Sequence, residues 1–296
     1  EMLRSLVGSE MCIRDRIRAS HGSKSVTISN IISAYNEASR GNGFDEEFVI
    51  DEPTIQLIKK YGDICDIIHT DLHECLGHGS GQLLPGVDPD SLKAYGNTIE
   101  EARADLFGLY YAADEKLVEL GLLPDSEAYK AEYYSYMMNG LLTQLARIKK
   151  GNCIEEAHMR NRALIARWCY EKGHENNVVE LVRQNGKTYV RINDYQQLRS
   201  LFADLLAEIQ RIKSEGDYNA ARDIVEKYAV NIEPSLHDEI LERYNNLGLP
   251  PYKGFINPVL TAVKDSDGNI IDVTADYTET YKHQMLRYSK DYSTLI

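Results

Sequence analysis

His69-Thr70-Asp71-Leu72-His73-Glu74-Cys75-Leu76-Gly77-His78, followed by Glu100-Glu101-Ala102-Arg103-Ala104-Asp105, is the stretch around which the rest of the chain is organised. The first run puts two imidazoles and a carboxylate on a few turns of helix. The second adds two carboxylates and a further acid one turn on. Such a set suits one divalent zinc ion, with imidazole and carboxylate donors and a glutamate beside the metal to deprotonate a water. In the familiar H-E-x-x-H helix the histidines are four apart and share a face. Here His73 and His78 are five apart, which on an ideal helix splays the rings by about 140°. Both reach one ion only if the helix absorbs a residue, as in a single-turn π-bulge, which Gly77 makes cheaper. A rival pair, His69 and His73, is four apart and needs no bulge. No glutamate follows His69, so that pair would supply ligands without a base, and His73 with His78 is the preferred reading.

The pattern His73-Glu74-Cys75-Leu76-Gly77-His78 with Glu100-Glu101-x-Arg103-Ala104-Asp105 resembles the dipeptidyl peptidase III family of zinc aminopeptidases. The HExxGH form is nearly private to that family. Gly79-Ser80-Gly81 and a later Ala157-His158-Met159-x-x-Arg162 reinforce the likeness, which runs from about Ile17 to the C-terminus. The resemblance implies His73, His78 and Glu101 as metal ligands and Glu74 as general base. It implies His158 as a group stabilising the transition state and Arg162 as part of the substrate cleft. Glu100 and Asp105 would orient the imidazoles from behind, Asp105 sharing a helix face with Glu101. Position 102, often Cys in eukaryotic members, is Ala here, and it is not a ligand position. The implied activity is release of dipeptides from the N-termini of oligopeptides. Without the likeness, a helical His and Arg one turn apart would read as an exposed polar face. The alternative function is a non-catalytic helical module with a structural metal site, but such sites usually use several thiolates and only Cys75 is near.

A net charge of −13 disfavours nucleic acid and anionic membranes as partners. No apolar run approaches the ~18 residues that a spanning helix needs. The five cysteines, at 12, 65, 75, 153 and 169, are too irregularly spaced for a disulfide framework, so a reducing, cytoplasmic setting is expected. Cys75 reads as a small helical residue rather than a reactive one. Residues 1–16 bear no relation to the family pattern and lack the apolar core of a signal peptide; they are expected to be a non-native, adaptor-like leader. The chain would then be a C-terminal piece of a bacterial-type family member. Its partner would be a missing, β-rich N-terminal lobe, and it would form its zinc site while turning over weakly or not at all alone.

The expected fold is mainly α: the helical catalytic lobe of a two-lobed metallopeptidase, covering 17–296, with two short β-hairpins and with 255–296 returning toward the missing lobe. Val26–Tyr35 reads as an extended entry or short helix. A long helix runs from Thr54 to about Gly77, its core face built on Ile55, Leu57, Ile58, Tyr61, Ile64, Cys65, Ile68, Leu72 and Leu76. Further helices are expected over Ile99–Leu120, Ser126–Lys149, Ile154–Lys172, Asp194–Ser214, Asp217–Tyr228 and Leu236–Leu247. The aromatics at 129, 133, 134 and 136 read as core. Hairpins are expected over Val178–Ile192, around Asn185-Gly186, and over Pro258–Thr274, around Asp265–Gly268. The second turn lacks the Gly and Glu positions of a calcium loop.

Overall fold

The computed structural model describes residues 41–249, 257–276 and 278–293. The expected leader 1–16 and the Val26–Tyr35 segment lie outside the described residues. The fold is mainly α, with two small antiparallel two-stranded sheets. Contacts divide the chain so that Gly43–Leu247 forms one compact unit, while the described part of Gly248–Ile296 belongs to a second.

In the first unit, a short helix α1 (Phe44–Phe48) precedes α2 (Glu52–Leu72). Asp51 caps α2 by accepting from Thr54 N at 3.0 Å, and Pro53 sits in its first turn, where no backbone donor is missed. Ile55, Tyr61, Cys65 and Ile68 form its buried stripe. At Leu72 the helix widens into a π turn over His73–His78, which takes up the extra residue of the histidine spacing. The wider turn also changes the phase of the stripe. Leu76, expected in the core, is 40% exposed, and Gly77 is buried in its stead.

Helix α3 (Gly96–Ala112) is buried on nearly every side, packed by α2, the π turn and two later helices. It stops well before Leu120. Asp114 turns its carboxylate to Lys116 N at 2.9 Å and starts the separate short helix α4 (Glu115–Glu119). Helix α5 (Tyr129–Leu141) is likewise shorter than expected. The Gln144 side chain donates to Gly140 O, the carbonyl that the backbone N–H of residue 144 would take in a continuing helix. A 3₁₀ turn over Thr143–Arg147 follows. The aromatics at 129, 133, 134 and 136 are buried.

Helix α6 (Ala157–Lys172) begins later than Ile154 because Glu156 caps it, accepting from His158 N and Met159 N. Strands β1 (Val179–Gln184) and β2 (Lys187–Ile192) pair from Val179↔Ile192 to Gln184↔Lys187. They are joined by Asn185-Gly186, both at positive φ, as that two-residue turn requires. Helices α7 (Tyr195–Glu215), α8 (Tyr218–Val225) and α9 (Pro234–Asn246) complete the unit. The core gathers Ile99, Leu106 and Leu109 of α3, Tyr133 and Met137 of α5, and Phe202 and Leu205 of α7.

The second unit holds strands β3 (Val259–Lys264) and β4 (Ile270–Asp276), with a register shift at Val263/Lys264, and helix α10 (Tyr281–Asp291). Helices α1 and α10 were not expected. The first is only a turn and a half; the second carries Tyr281, Met285 and Tyr288 at helical spacing, a stripe the sequence reading passed over. Among the described residues, no helix is long and apolar enough to cross a membrane.

Candidate metal centre

The π turn and α3 face each other, and that contact brings the two motifs together. Gly77 makes the approach possible: a Cβ there would lie 2.6 Å from Ala104 Cα and 2.9 Å from Ala104 O. Its backbone is not left-handed, so the glycine serves close packing rather than the cheap distortion expected of it. Arg103, fully buried, fixes the turn from the other side. It donates to Gly77 O at 2.7 Å, to Ser80 Oγ at 3.1 Å and to both oxygens of Glu100.

His73 and His78 consequently point at a common place, with ring centroids 4.6 Å apart. His73 Nδ1 lies 2.6 Å from Asp105 Oδ1, and His78 Nδ1 lies 2.8 Å from Glu100 Oε1. Each carboxylate accepts a hydrogen bond from an Nδ1–H, which turns the two Nε2 atoms toward that place. Those atoms stand 3.4 Å and 3.7 Å from Glu101 Oε2. The oxygen is buried and accepts no hydrogen bond. Bond lengths near 2.1 Å in a tetrahedral zinc site put neighbouring donors about 3.4 Å apart, so these spacings fit such an ion. The donor atoms of His73, His78 and Glu101 lie within 4.8 Å of one another, and no thiolate joins them. Three protein donors, without Cys75, fit an open site better than a closed structural one.

Burying Glu100, Glu101, Arg103 and Asp105 together would be costly without compensation. Glu100 also accepts from Lys213 of α7. Asp105 accepts from Tyr136 Oη at 2.7 Å and Asn161 Nδ2 at 3.0 Å, in addition to His73. Burial alone would raise Asp105, but its imidazole partners hold it well below the usual carboxylate range. Burial opposes the charged form of His73, yet its hydrogen bond to Asp105 and the nearby Glu101 carboxylate outweigh it and take the ring to about 10. The same contest ends with Glu101 at about 2, its neighbouring imidazoles overcoming burial. A cation must displace these protons, so its affinity should rise with pH.

Glu74 lies on the π turn directly after His73 and is partly buried. His158, at the start of α6, has its Nε2 3.4 Å from Glu101 Oε2 while its side chain stays 54% exposed. Glu156 accepts at 2.7 Å from His158 Nδ1. Arg162, one turn on, is partly buried, and its charge acts on Glu132 and Asp66. The structure thus brings His73, His78, Glu101, Glu100, Asp105 and His158 into one neighbourhood, with Glu74 and Arg162 on adjoining turns. The rival His69 also comes close, its Nε2 3.3 Å from Asp105 Oδ1 and its Nδ1 3.2 Å from Glu132 Oε1, so that His69, His73 and Asp105 form a second possible donor group.

Sequence reading gave no part in the site to Glu132, Glu156, Asn161 or Lys213, named Arg103 only within the motif, and took Tyr136 as core. Arg103 could have been found as the i,i+3 partner of Glu100, and Glu156 as a helix cap. The rest come from remote parts of the chain and leave no local signal.

Residues 5–93 and 89–243 match the model of "Peptidase family M49". Dipeptidyl peptidase 3 of Nematostella vectensis is 24% identical over 257 residues, covering 73% of this chain and 34% of that protein. The dipeptidyl peptidase III structure from Caldithrix abyssi superposes with a TM-score of 0.58 at 24% identity, covering 77% of this chain and 40% of the other. That from a Corallococcus strain gives 0.59 at 21%, covering 78% and 40%. The chain spans about a third of the length of the curated relative it matches.

Proposed function

The chain belongs to peptidase family M49, and from that premise we propose that it carries the zinc centre of a dipeptidyl peptidase acting on oligopeptides. His73, His78 and Glu101 would hold one zinc ion. The reading is carried by one observation: two Nε2 atoms approach a buried, unbonded carboxylate oxygen at distances a tetrahedral ion requires. When bound, zinc supplies a Lewis acid that makes a water acidic near neutral pH and polarises a carbonyl. Glu74 takes the proton of the attacking water and passes it to the leaving amine. His158, oriented through Nδ1 by Glu156, presents Nε2–H to the oxygen that gains charge. Arg162 lies a turn further along α6 and contributes a fixed positive charge to the substrate cleft. Asp105 and Glu100 keep the two ligand imidazoles in the tautomer that leaves Nε2 free.

Metal analysis of the purified chain tests this directly. One equivalent of zinc is expected, lost in His78→Ala and Glu101→Ala and kept in Glu74→Gln. In a full-length context, Glu74→Gln should in turn suppress the hydrolysis of dipeptidyl amides. Zinc retained in both His78→Ala and Glu101→Ala would refute the ligand set.

A further inference from the structure

His69 attracts notice in the sequence as a rival ligand, and the proposed chemistry leaves it without a task. Its ring occupies a made-to-measure berth. Gly108 of α3 faces it, and a Cβ there would come within 3.0 Å of the ring atoms Cε1 and Nδ1. The ring lies between two acids from different helices, with Nε2 3.3 Å from Asp105 Oδ1 and Nδ1 3.2 Å from Glu132 Oε1. Both His69 and Glu132 are largely shielded, at 13% and 12% side-chain exposure. Asp105 Oδ1 is also the oxygen that lies 2.6 Å from His73 Nδ1.

We infer that His69 is a positioning residue for the metal centre, forming with Asp105 a buried chain that holds His73 in its metal-binding orientation. The inference rests on the metal reading above. Asp105 Oδ1 serves two imidazoles at once, so its aim at His73 depends on what the second imidazole does. With a proton on Nε2, His69 donates to Asp105 and pins the carboxylate. With that proton absent, two lone pairs would face each other in a low-dielectric setting and push the carboxylate off line. Glu132 lies on the far side of the ring, 3.2 Å from Nδ1 and without a hydrogen bond to it. Asn161 and Tyr136 hold the other oxygen, Oδ2, so the carboxylate is fixed at both ends.

The test is zinc affinity, measured on the full chain by competition with a chromogenic chelator. His69→Leu removes the donor and should weaken zinc about tenfold, the lower end of what loss of an outer partner of a ligand costs. His69→Gln, whose amide can still donate to Asp105, should stay within about threefold of wild type, a rescue that a merely space-filling residue would not require. Equal affinity in His69→Leu and wild type, or equal losses in the Leu and Gln variants, would overturn the inference while leaving the ligand set intact. A wild-type chain that takes up no zinc would instead remove the metal reading and this inference with it. Should the variants fail to fold, long-range ¹H–¹⁵N spectra of the zinc-loaded wild type decide the matter. The proton is expected on Nε2 of His69, and an unprotonated Nε2 would refute the chain.

Discussion

Gly77→Ala separates two physical accounts of the π turn. In an exposed helix the exchange would gain about 1 kcal/mol, because alanine loses less backbone freedom than glycine. Here the added methyl carbon would sit 2.6 Å from Ala104 Cα, 2.7 Å from Ala104 Cβ and 2.9 Å from Ala104 O. All three lie closer than carbon and oxygen atoms approach without contact, and two belong to the backbone of buried α3, which cannot swing aside like a flexible side chain. Overpacking of a close-packed interior costs about 1–3 kcal/mol, occasionally more. With backbone as the obstacle the upper end applies, so a net loss of about 2 kcal/mol is expected once the helix term is subtracted. For a domain of this size that is a fall of about 4–8 °C in melting temperature. Circular dichroism melts of the metal-free protein read the packing term without help from an ion. Adding Ala104→Gly should restore only part of the loss, since it removes the Cβ contact and leaves those to Cα and O. A Gly77→Ala protein melting at or above the wild-type temperature would show that helix propensity, not packing, governs the site, and the account of Gly77 would fail.

Other outcomes follow from the same geometry. Arg103→Met strips a buried guanidinium from Glu100 and Gly77 O and should cost about 3–5 kcal/mol in urea unfolding; exposed Arg183→Met should stay within about 0.5 kcal/mol, and similar losses in both would deny Arg103 its role. Glu156 is held at about 2 against an ordinary 4.5, first by its hydrogen bond to His158, so its stabilisation is complete above about 4.5 and lost as pH falls toward about 2. Wild type should therefore exceed Glu156→Gln by about 1 kcal/mol near neutrality and match it near pH 2 in pH-dependent melts; a gap independent of pH would contradict the charge argument. Zinc at a hundred times its dissociation constant should stabilise the wild-type chain by about 2.7 kcal/mol, and a chelator should reverse it; an equal response in His78→Ala would point to binding elsewhere.

Much of this molecule was readable residue by residue. The five-residue histidine gap demanded a wider helical turn, and α2 widens at His73–His78. Asn185-Gly186 marked its hairpin, and the 3.6-residue repeat marked the long helices, because such signals act within a few residues along the chain. Helix ends were less legible. Asp114, Gln144 and Glu156 divert backbone groups to side chains, a competition that periodicity does not register.

What the linear order alone determined was the inventory: two imidazoles one residue too far apart for a regular helix and a second motif rich in carboxylates, on helices with apolar faces to bury. Only the tertiary structure decided how those groups are held. The packing of α3 against the π turn requires glycine at 77, while His69 goes to Asp105 and Glu132, and Lys213 crosses from α7 to Glu100. The physical reason is that a buried charge is tolerable only beside its partners, and those partners come from helices far apart in the chain.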